Sequence, residues 1–302
     1  MDVVVTGASG LIGTALVDAL GRAGHRPVKL VRRASRGADE ISWDPKAGTL
    51  DAASLDGMGG VVHLAGAGIA DHRWTDAYKR ELVDSRTGPT TLLATTLAGL
   101  TRPPTVLVSG SAVGWYGDRG DAVLTEASER GTGFLSDVCR DWEAATQPAS
   151  DAGIRVAHLR TGIVLSAKGG ALAKQLPLFK LGLGGRLGSG RQWTSWVSID
   201  DEVGAIVHLL TADVTGAVNG TAPNPVTNAD FTKALGTALK RPTVFPIPRF
   251  GPKLLFGREM ANTLLFEGAR ILPTVLESSG FAFRHPELGE ALTALLSTTR
   301  AA

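Results

Sequence analysis

Three glycines in the stretch VVVTGASGLIGTAL recur every third residue, between an apolar run and a helical pattern. Gly7, Gly10 and Gly13 fall at a strand-to-helix junction, where the backbone must turn sharply and approach a ligand closely. Amides at the start of the following helix bind phosphate groups. The pattern predicts a loop that holds the phosphates of a dinucleotide. The spacing differs from Gly-x-Gly-x-x-Gly, and an ordinary glycine turn is the alternative.

Two arginines end the second predicted strand, which reads KLVRRAS, and Arg32 lies nineteen positions beyond Gly13. NAD-binding proteins place a carboxylate at about this point to bind the ribose of the cofactor. A guanidinium instead pairs with the additional 2′-phosphate of NADP through two parallel hydrogen bonds. Arg32 and Arg33 therefore predict NADP rather than NAD, with a solvated strand end as the alternative.

The elements that position these residues alternate between short β-branched runs and longer helical patterns. Buried parallel strands are predicted over residues 3–6, 26–31, 60–64, 105–109 and 155–159. A crossover helix is predicted over 74–98, and after about residue 165 a glycine-rich stretch leads into mostly helical segments. We expect an α/β fold, a Rossmann-type doubly wound parallel sheet with a smaller, mostly helical C-terminal lobe. Residues 1–165 would form the NADP-binding domain, with strand and helix returns from later segments, and 166–302 the substrate lobe.

Composition excludes several other classes of function. Lys and Arg total 31 against 29 for Asp and Glu, and the net charge of +2 indicates no general affinity for nucleic acid or anionic lipid. No apolar run is long enough to span a bilayer. The single cysteine, Cys139, favours a reducing compartment, so we expect the cytoplasm. The histidines lack ligand spacing, so no metal is expected, and no oligomeric state is indicated.

The motifs TGASGLIG, LVRR, VVHLAG, SGSAVGWYG and LRTGIVL occur in this order. Together they resemble the extended short-chain dehydrogenase/reductases, the group of nucleotide-sugar epimerases and dehydratases. Further segments, among them RWTDAYKRELVDSR, QWTSWVSIDDEVGAI and LLFEGARILP, are similar to an atypical epimerase-like family with a C-terminal domain of unknown function. The resemblance covers essentially the whole chain. It implies an NADP-binding protein that acts on a small molecule, either a nucleotide sugar or a carbonyl compound.

This resemblance also implies which residues contact the cofactor. The contacts come from five places: the glycine turn, the strand-two arginines, the end of the HLAG strand, the long helix and the strand near residue 160. For Glu81 a surface ion pair with Lys79 and Arg86 is the alternative, and for Arg160 a structural pair with a core carboxylate. The implied residues are Gly7, Gly10, Leu11, Ile12, Gly13, Arg32, Arg33, Leu64, Ala65, Gly66, Glu81, Ser85, Arg86, Arg160, Thr161 and Gly162.

The catalytic dyad of the larger group is missing. Relatives that transfer hydride carry Tyr-x-x-x-Lys on the helix after the SGSA strand, because the lysine lowers the pKa of the phenol. Here that helix reads GFLSDVCRDWEAAT, and aligning its Glu143 puts Leu135 and Cys139 at the two catalytic positions. Neither tyrosine of the chain, Tyr78 or Tyr116, has a lysine four positions later.

Two candidate catalytic residues remain. Ser111 matches the residue that hydrogen-bonds a substrate oxygen in the larger group, and Tyr116 could act as an acid if a cation lowered its pKa. An aromatic cap on a loop is the alternative role of Tyr116. Two hypotheses follow: an NADP-dependent oxidoreductase or epimerase with an unusual acid, or a non-catalytic NADP(H)-binding sensor or interaction module.

The glycine-rich loop LGLGGRLGSGRQWTSW is predicted to close over the substrate. Arginine beside tryptophan can bind a phosphate or the face of a sugar, and anchoring of the loop by its tryptophans is the equal alternative. Asp200 or Asp201 is predicted to cap the helix that follows. The loop residues concerned are Arg186, Arg191, Trp193 and Trp196.

Overall fold

The computed structural model describes residues 1–297. Its strands, in chain order, are β1 (Asp2–Thr6), β2 (Arg26–Val31), β3 (Glu40–Asp44), β4 (Thr49–Leu50), β5 (Gly60–His63), β6 (Val106–Ala112), β7 (Val123–Leu124), β8 (Arg155–Thr161), β9 (Ile163–Leu165), β10 (Trp193–Thr194), β11 (Trp196–Ser198), β12 (Gly216–Gly220), β13 (Val226–Thr227) and β14 (Arg270–Ile271). Eight of them form one central sheet in the order β12-β8-β6-β5-β1-β2-β3-β4.

Every pairing in the central sheet is parallel except that of β3 with β4. The chain runs outward from β1 through β2 and β3, and returns at β5 on the other side of β1. This reversal of strand order is the topological switch point, where α/β proteins bind ligands beyond the carboxyl ends of the strands. The glycine turn that follows β1 lies there.

The helices are α1 (Leu11–Arg22), α2 (Asp76–Ala98), α3 (Phe134–Ala144), α4 (Gln147–Asp151), α5 (Gly170–Lys180), α6 (Ile199–Thr211), α7 (Asn228–Leu239), α8 (Phe250–Phe256), α9 (Arg258–Ala261), α10 (Thr274–Ser278) and α11 (Leu288–Ser297). Short 3-10 turns occur at Ala52–Ser54 and Val113–Tyr116, and a π turn at Asn262–Phe266.

Helices cover both faces of the central sheet, because its strands are apolar on both sides. Val3 and Val5 of β1 pack with α1 and α6, whereas Val4 between them packs with α2 and α4 on the other face. This alternation within one strand follows from the twofold periodicity of β-structure. The doubly wound α/β fold predicted from the sequence is confirmed.

The C-terminal lobe has an apolar core of its own, formed by α5, α7 and α11, and it is mostly helical as predicted. Leu172, Phe231 and Leu292 belong to this core, and Trp196 is buried completely within it. The later part of the chain also returns to the first domain, since β12 pairs with β8 and α6 packs on α1.

Several predicted boundaries were wrong. The strand predicted to end at residue 159 continues through Thr161, so Arg160 lies inside β8. The helix predicted from residue 74 begins at Asp76, because the side chain of Thr75 caps it. Ser198, rather than Asp200 or Asp201, caps α6 by accepting a hydrogen bond from the backbone amide of Asp201. Among the parallel strands of the central sheet, β3 and β12 were not predicted.

Candidate cofactor site

The turn between β1 and α1 can be built only with glycine at two positions. Gly7 has a φ of +65°, and a Cβ there would lie 2.8 Å from the carbonyl oxygen of Leu64. A Cβ on Gly13 would lie 2.1 Å from the carbonyl oxygen of Gly7. Any side chain would therefore push the turn away from β5 or α1. The close packing leaves the start of α1 directly beyond the carboxyl ends of β1 and β5.

The first turn of α1 has the features of an anion site. Gly10 is its N-terminal cap residue and offers no side chain to the free amides, and the first turn contains no acidic residue. The Gly10 amide donates to the Gly7 carbonyl at 2.9 Å. Because the first amides of a helix have no partner within it, those of Leu11 and Ile12 can donate to a ligand. The helix dipole adds a positive potential at the same place.

A buried hydrogen-bond network fixes the floor of the site. The Thr6 hydroxyl accepts from the backbone amides of Leu64 and Ala65 at 3.0 and 3.1 Å. It therefore donates to Nδ1 of His63, 2.8 Å away, and the His63 proton resides on Nε2, which contacts Thr90 at 2.9 Å. Burial lowers the pKa of His63 to about 4, so the ring is neutral. His63 thus has the structural role expected of a core histidine.

Two of the predicted residues on α2 hold the loop that follows β5. Ser85 Oγ accepts from the Ala67 amide at 3.0 Å, and Arg86 donates to the carbonyls of Ala67 and Leu82 at 3.0 and 2.9 Å. A Cβ on Gly66 would lie 3.4 Å from the Arg86 side chain. Ser85 and Arg86 therefore position the backbone from Gly66 to Ala67, just beyond the carboxyl end of β5 at the switch point.

Glu81 lines a cleft of about 370 Å³ beside this loop. The ion pair considered for Glu81 does not form, because Lys79 pairs with Glu259 of the C-terminal lobe and Arg86 bonds to carbonyls. The other residues of this cleft were not predicted as site residues; they come from the loop before α2 and from the first turn of α2. They are His72, Arg73, Thr75, Ala77 and Tyr78.

The two arginines at the end of the second strand differ in their partners. Both terminal nitrogens of Arg33 donate to the Glu40 carboxylate, at 2.7 and 2.6 Å. These bonds, with one from the Arg36 amide, lower the pKa of Glu40 to about 2. Arg32 is exposed and forms no ion pair or side-chain hydrogen bond within residues 1–297. Arg32 is therefore the guanidinium that is free to bind an added phosphate.

Arg160 forms the structural pair that was considered as its alternative role. Its Nε and Nη2 donate to the two oxygens of Glu143 at 2.8 and 2.9 Å, and the guanidinium stacks 3.9 Å from the Trp115 ring. Both charged side chains are more than nine-tenths buried. Ser111 donates to Glu143 as well, at 2.6 Å. The pair joins α3 to β6 and β8, and it engages the hydroxyl that was expected to bind substrate.

The geometry argues against Tyr116 as an acid. Its side chain is completely buried, and the hydroxyl donates to Asn219 at 2.7 Å while accepting from Arg160 at 3.1 Å. Burial raises the pKa of the phenol, in spite of the neighbouring guanidinium, and so opposes the shift that acid catalysis would need. Cys139 is no substitute, because burial raises the pKa of its thiol to about 11.

Beyond β8 lies a buried carboxyl group that sequence reasoning missed. Glu202 is completely buried; one of its oxygens accepts from Thr161 at 2.7 Å, and the other has no partner. Burial raises its pKa to about 7. The helical spacing contained the signal, since Glu202 lies on the same stripe of α6 as the buried Ile206 and Leu209. The backbone just after β8 is tightly packed as well, since a Cβ on Gly162 would lie 2.6 Å from the Ser195 carbonyl oxygen.

The two tryptophans of the glycine-rich loop have different roles. Trp196 is buried and donates to the Asn224 carbonyl at 3.1 Å, so it anchors the loop. Trp193 donates to Asp121 at 2.8 Å and, with Arg191, lines a second cleft of about 320 Å³. Arg186 bonds to carbonyls of its own loop. The other residues lining this cleft are Asp118, Gly120, Asp121, Ser189, Gln192, Phe266 and Gly268.

Within residues 1–297, no group of three or more His, Cys, Asp and Glu side chains could hold a metal ion. None of the helices in the same range combines the length and apolar character needed to cross a membrane.

The assembled features are a glycine turn at a Rossmann switch point and an uncapped helix start. A model of the NAD dependent epimerase/dehydratase family matches residues 3–221. The chain belongs to this family. A second model, described as Domain of unknown function (DUF1731), matches residues 247–295. The family resemblance predicted from the motifs is confirmed.

Relatives in this family align over the whole chain. Epimerase family protein Mb2239 of Mycobacterium bovis is 46% identical over 291 residues, 96% of either chain. The human epimerase family protein SDR39U1 is 38% identical and covers 98% of this chain and 100% of its own. A crystal structure of that human protein (isoform 2) with NADPH has a TM-score of 0.91 at 35% identity, over 98% of this chain and 99% of the other.

Proposed function

We propose that this protein binds NADP(H) in the cleft beyond the carboxyl ends of β1 and β5. The observation that carries the proposal is the uncapped start of α1, at which Gly7 and Gly13 tolerate no side chain. The donors available there suit the diphosphate of a dinucleotide. The human relative crystallised with NADPH supports the same cofactor.

Each predicted cofactor residue has a proposed role at this cleft. Backbone amides of Leu11, Ile12 and Gly13 would hold the diphosphate at the turn formed by Gly7 and Gly10. Arg32 would bind the 2′-phosphate, with Arg33 fixed beside it by Glu40. Leu64, Ala65 and Gly66 would form the surface against which the cofactor lies, supported by Ser85 and Arg86. Glu81 lines the adjoining cleft. The nicotinamide half would extend toward Thr161 and Gly162 at the end of β8, while Arg160 supports β8 from within.

The substrate would bind in the second cleft, between the two domains. Its walls carry the cation of Arg191, the carboxylates of Asp118 and Asp121, and the flat face of Trp193. This set of groups suits a small polar molecule such as a nucleotide sugar or a carbonyl compound. The chain that follows Trp193 reaches the segment after β8, where the Ser195 carbonyl accepts from the Ile163 amide at 2.8 Å. Residues 1–165 with α6 and β12 would hold the cofactor, and the rest of 166–302 would cover it.

Bound NADPH would supply a hydride from C4 of its nicotinamide, and an oxidoreductase or epimerase would need a proton donor beside it. The dyad positions hold Leu135 and the un-ionised Cys139, and Tyr116 is engaged on both sides. These observations favour the second hypothesis, an NADP(H)-binding sensor or interaction module without turnover.

The single buried cysteine supports a reducing compartment such as the cytoplasm.

The test separates binding from turnover. Purified protein is titrated with NADPH and with NADH by fluorescence, and absorbance at 340 nm is then followed with a panel of carbonyl compounds and nucleotide sugars. We expect saturable binding with a preference for NADPH and no consumption across the panel. Consumption of NADPH with any panel member would establish the enzyme instead. The absence of saturable NADPH binding would refute the cofactor site itself.

A further inference from the structure

Two stretches of the chain are basic and contain no acidic residue. Between Asp151 and Asp200 there is no Asp or Glu, and between Asp230 and Glu259 there is none either. The net charge of +2 for the whole chain conceals this local excess of positive charge. The basic residues involved are Lys168, Lys174, Lys180, Arg186 and Arg191 in residues 161–199, and Lys233, Lys240, Arg241, Arg249, Lys253 and Arg258 in residues 231–258.

The same two stretches hold most of the exposed large hydrophobic side chains. Of eleven such residues in the described part of the chain, nine lie there. Helix α8 is reversed relative to an ordinary surface helix, because Leu254 is 78% and Leu255 62% exposed whereas Lys253 is half-buried. Phe245 in the preceding loop is 79% exposed. The full set is Ile163, Leu178, Leu181, Leu183, Val244, Phe245, Phe250, Leu254 and Leu255.

The two stretches meet and form one surface. Leu187 and Ile247 form a bridge between them, and Arg241 donates to the Lys180 carbonyl at 2.8 Å. A Cβ on Gly185 would lie 1.8 Å from the carbonyl oxygen of Phe245, so the two backbones are in direct contact. We call this surface, residues 178–187 with 240–256, the basic apolar face.

The positive charges of the basic apolar face have no carboxylate partners among residues 1–297. Arg241 and Arg186 donate to backbone carbonyls, and Arg249 stacks 4.8 Å from the Phe266 ring. The ion pair of the neighbouring helix α9, between Glu259 and Lys79, lies outside the basic apolar face. The charges on this face are therefore available to an external anionic surface.

We propose that the basic apolar face docks this protein onto an anionic membrane surface. Exposed Phe and Leu side chains would enter the boundary between headgroups and acyl chains, and the flanking Lys and Arg would pair with anionic headgroups. A second copy of the chain is a poorer occupant, because a twofold dimer sets the same patch against itself and so opposes positive charge to positive charge. The attachment is peripheral, since no helix of residues 1–297 can span a bilayer.

The test is co-sedimentation of the full chain, loaded with NADPH, with vesicles of phosphatidylcholine alone or mixed with phosphatidylglycerol. The apolar variant is Phe245→Ser with Leu254→Ser. The charge variant is Lys240→Glu with Lys253→Glu. A matched control, Val123→Ser with Arg22→Glu, removes an exposed hydrophobic side chain and reverses a charge away from the face. Thermal melting and NADPH titration establish that each variant is folded.

We expect the wild type and the control to bind the phosphatidylglycerol vesicles and not the neutral ones. The apolar variant should bind about tenfold more weakly. Vesicle binding by the charge variant should weaken about fivefold for each positive charge removed. It should weaken further because each substitution also adds a negative charge. Failure of the wild type to sediment with anionic vesicles would overturn the proposal. So would equal binding by the apolar variant, which would indicate unspecific charge attraction, or a wild-type dimer that the apolar variant converts to monomer.

Discussion

Replacing Arg32 by alanine should weaken NADPH binding by about thirtyfold and leave NADH binding unchanged. Arg32 is exposed and has no carboxylate partner within the described residues, so nothing has to be broken before it pairs with a phosphate. A hydrogen-bonded charge pair of this kind is worth about 2 kcal/mol at an exposed site, which is the stated factor. NADH lacks the 2′-phosphate and so cannot report the loss.

Arg33 provides the control, because its guanidinium is bound to Glu40 at both terminal nitrogens. Arg33→Gln alone leaves Glu40 ionised and unpaired beside the bound phosphate, so NADPH affinity should fall through charge repulsion. Arg33→Gln with Glu40→Gln removes the pair as a unit and should restore most of that affinity.

Isothermal titration of each variant with NADPH and NADH measures both effects. The cofactor assignment is refuted if Arg32→Ala binds NADPH as tightly as the wild type. It is also refuted if the substitution weakens NADPH and NADH by the same factor, since the arginine would then not distinguish the two cofactors.

Substitutions centred on Gly13, Arg160 and Glu202 test the site and its supports. Gly13→Ala should abolish NADPH binding and cost about 3 kcal/mol in urea unfolding, because its Cβ would meet the Gly7 carbonyl oxygen at 2.1 Å. In the same helix, a Cβ on Gly21 would meet no atom within 4 Å, so Gly21→Ala should raise the free energy of unfolding by about 0.5 to 1 kcal/mol. An equal loss of stability in the two variants would contradict the clash at Gly13. Arg160→Met should lower the free energy of unfolding by about 3 to 5 kcal/mol, because it leaves the buried Glu143 carboxylate unpaired. Adding Glu143→Gln should recover part of this loss. Full stability of the single variant would show that the pair is dispensable. The pKa of Glu202 rises from 4.5 to about 7 in the fold, so the free energy of unfolding should fall by about 3 kcal/mol between pH 4.5 and 7. Glu202→Gln should abolish that part of the pH dependence, and an unchanged profile would exclude the group.

The parts of the site that were predictable depend on local sequence. A turn of glycines at fixed spacing is set by backbone sterics within a few residues, and the fold contains it where predicted. The alternation of strands and helices likewise follows from periodicity, so the doubly wound fold was recognised. Only strands with weak signals were missed, as in β12, where Gly216 and Gly220 bound a five-residue run.

The parts that were not predictable depend on partners distant in the chain. The Tyr116 hydroxyl is held by Asn219, 103 positions later, and that contact favours a buried structural phenol over an acid. Arg32 and Arg33 look alike in the sequence, and only the pairing of β2 with β3 brings Glu40 to one of them. The net charge of the chain gave no indication of the basic apolar face, because the acidic residues lie outside two long stretches that fold together.

The most direct test of the cofactor site is a crystal structure of this protein with NADPH. We predict that the diphosphate accepts hydrogen bonds from the amides of Leu11 and Ile12, and that the 2′-phosphate contacts Arg32. A dinucleotide bound away from the start of α1, or a 2′-phosphate directed away from Arg32, would contradict it.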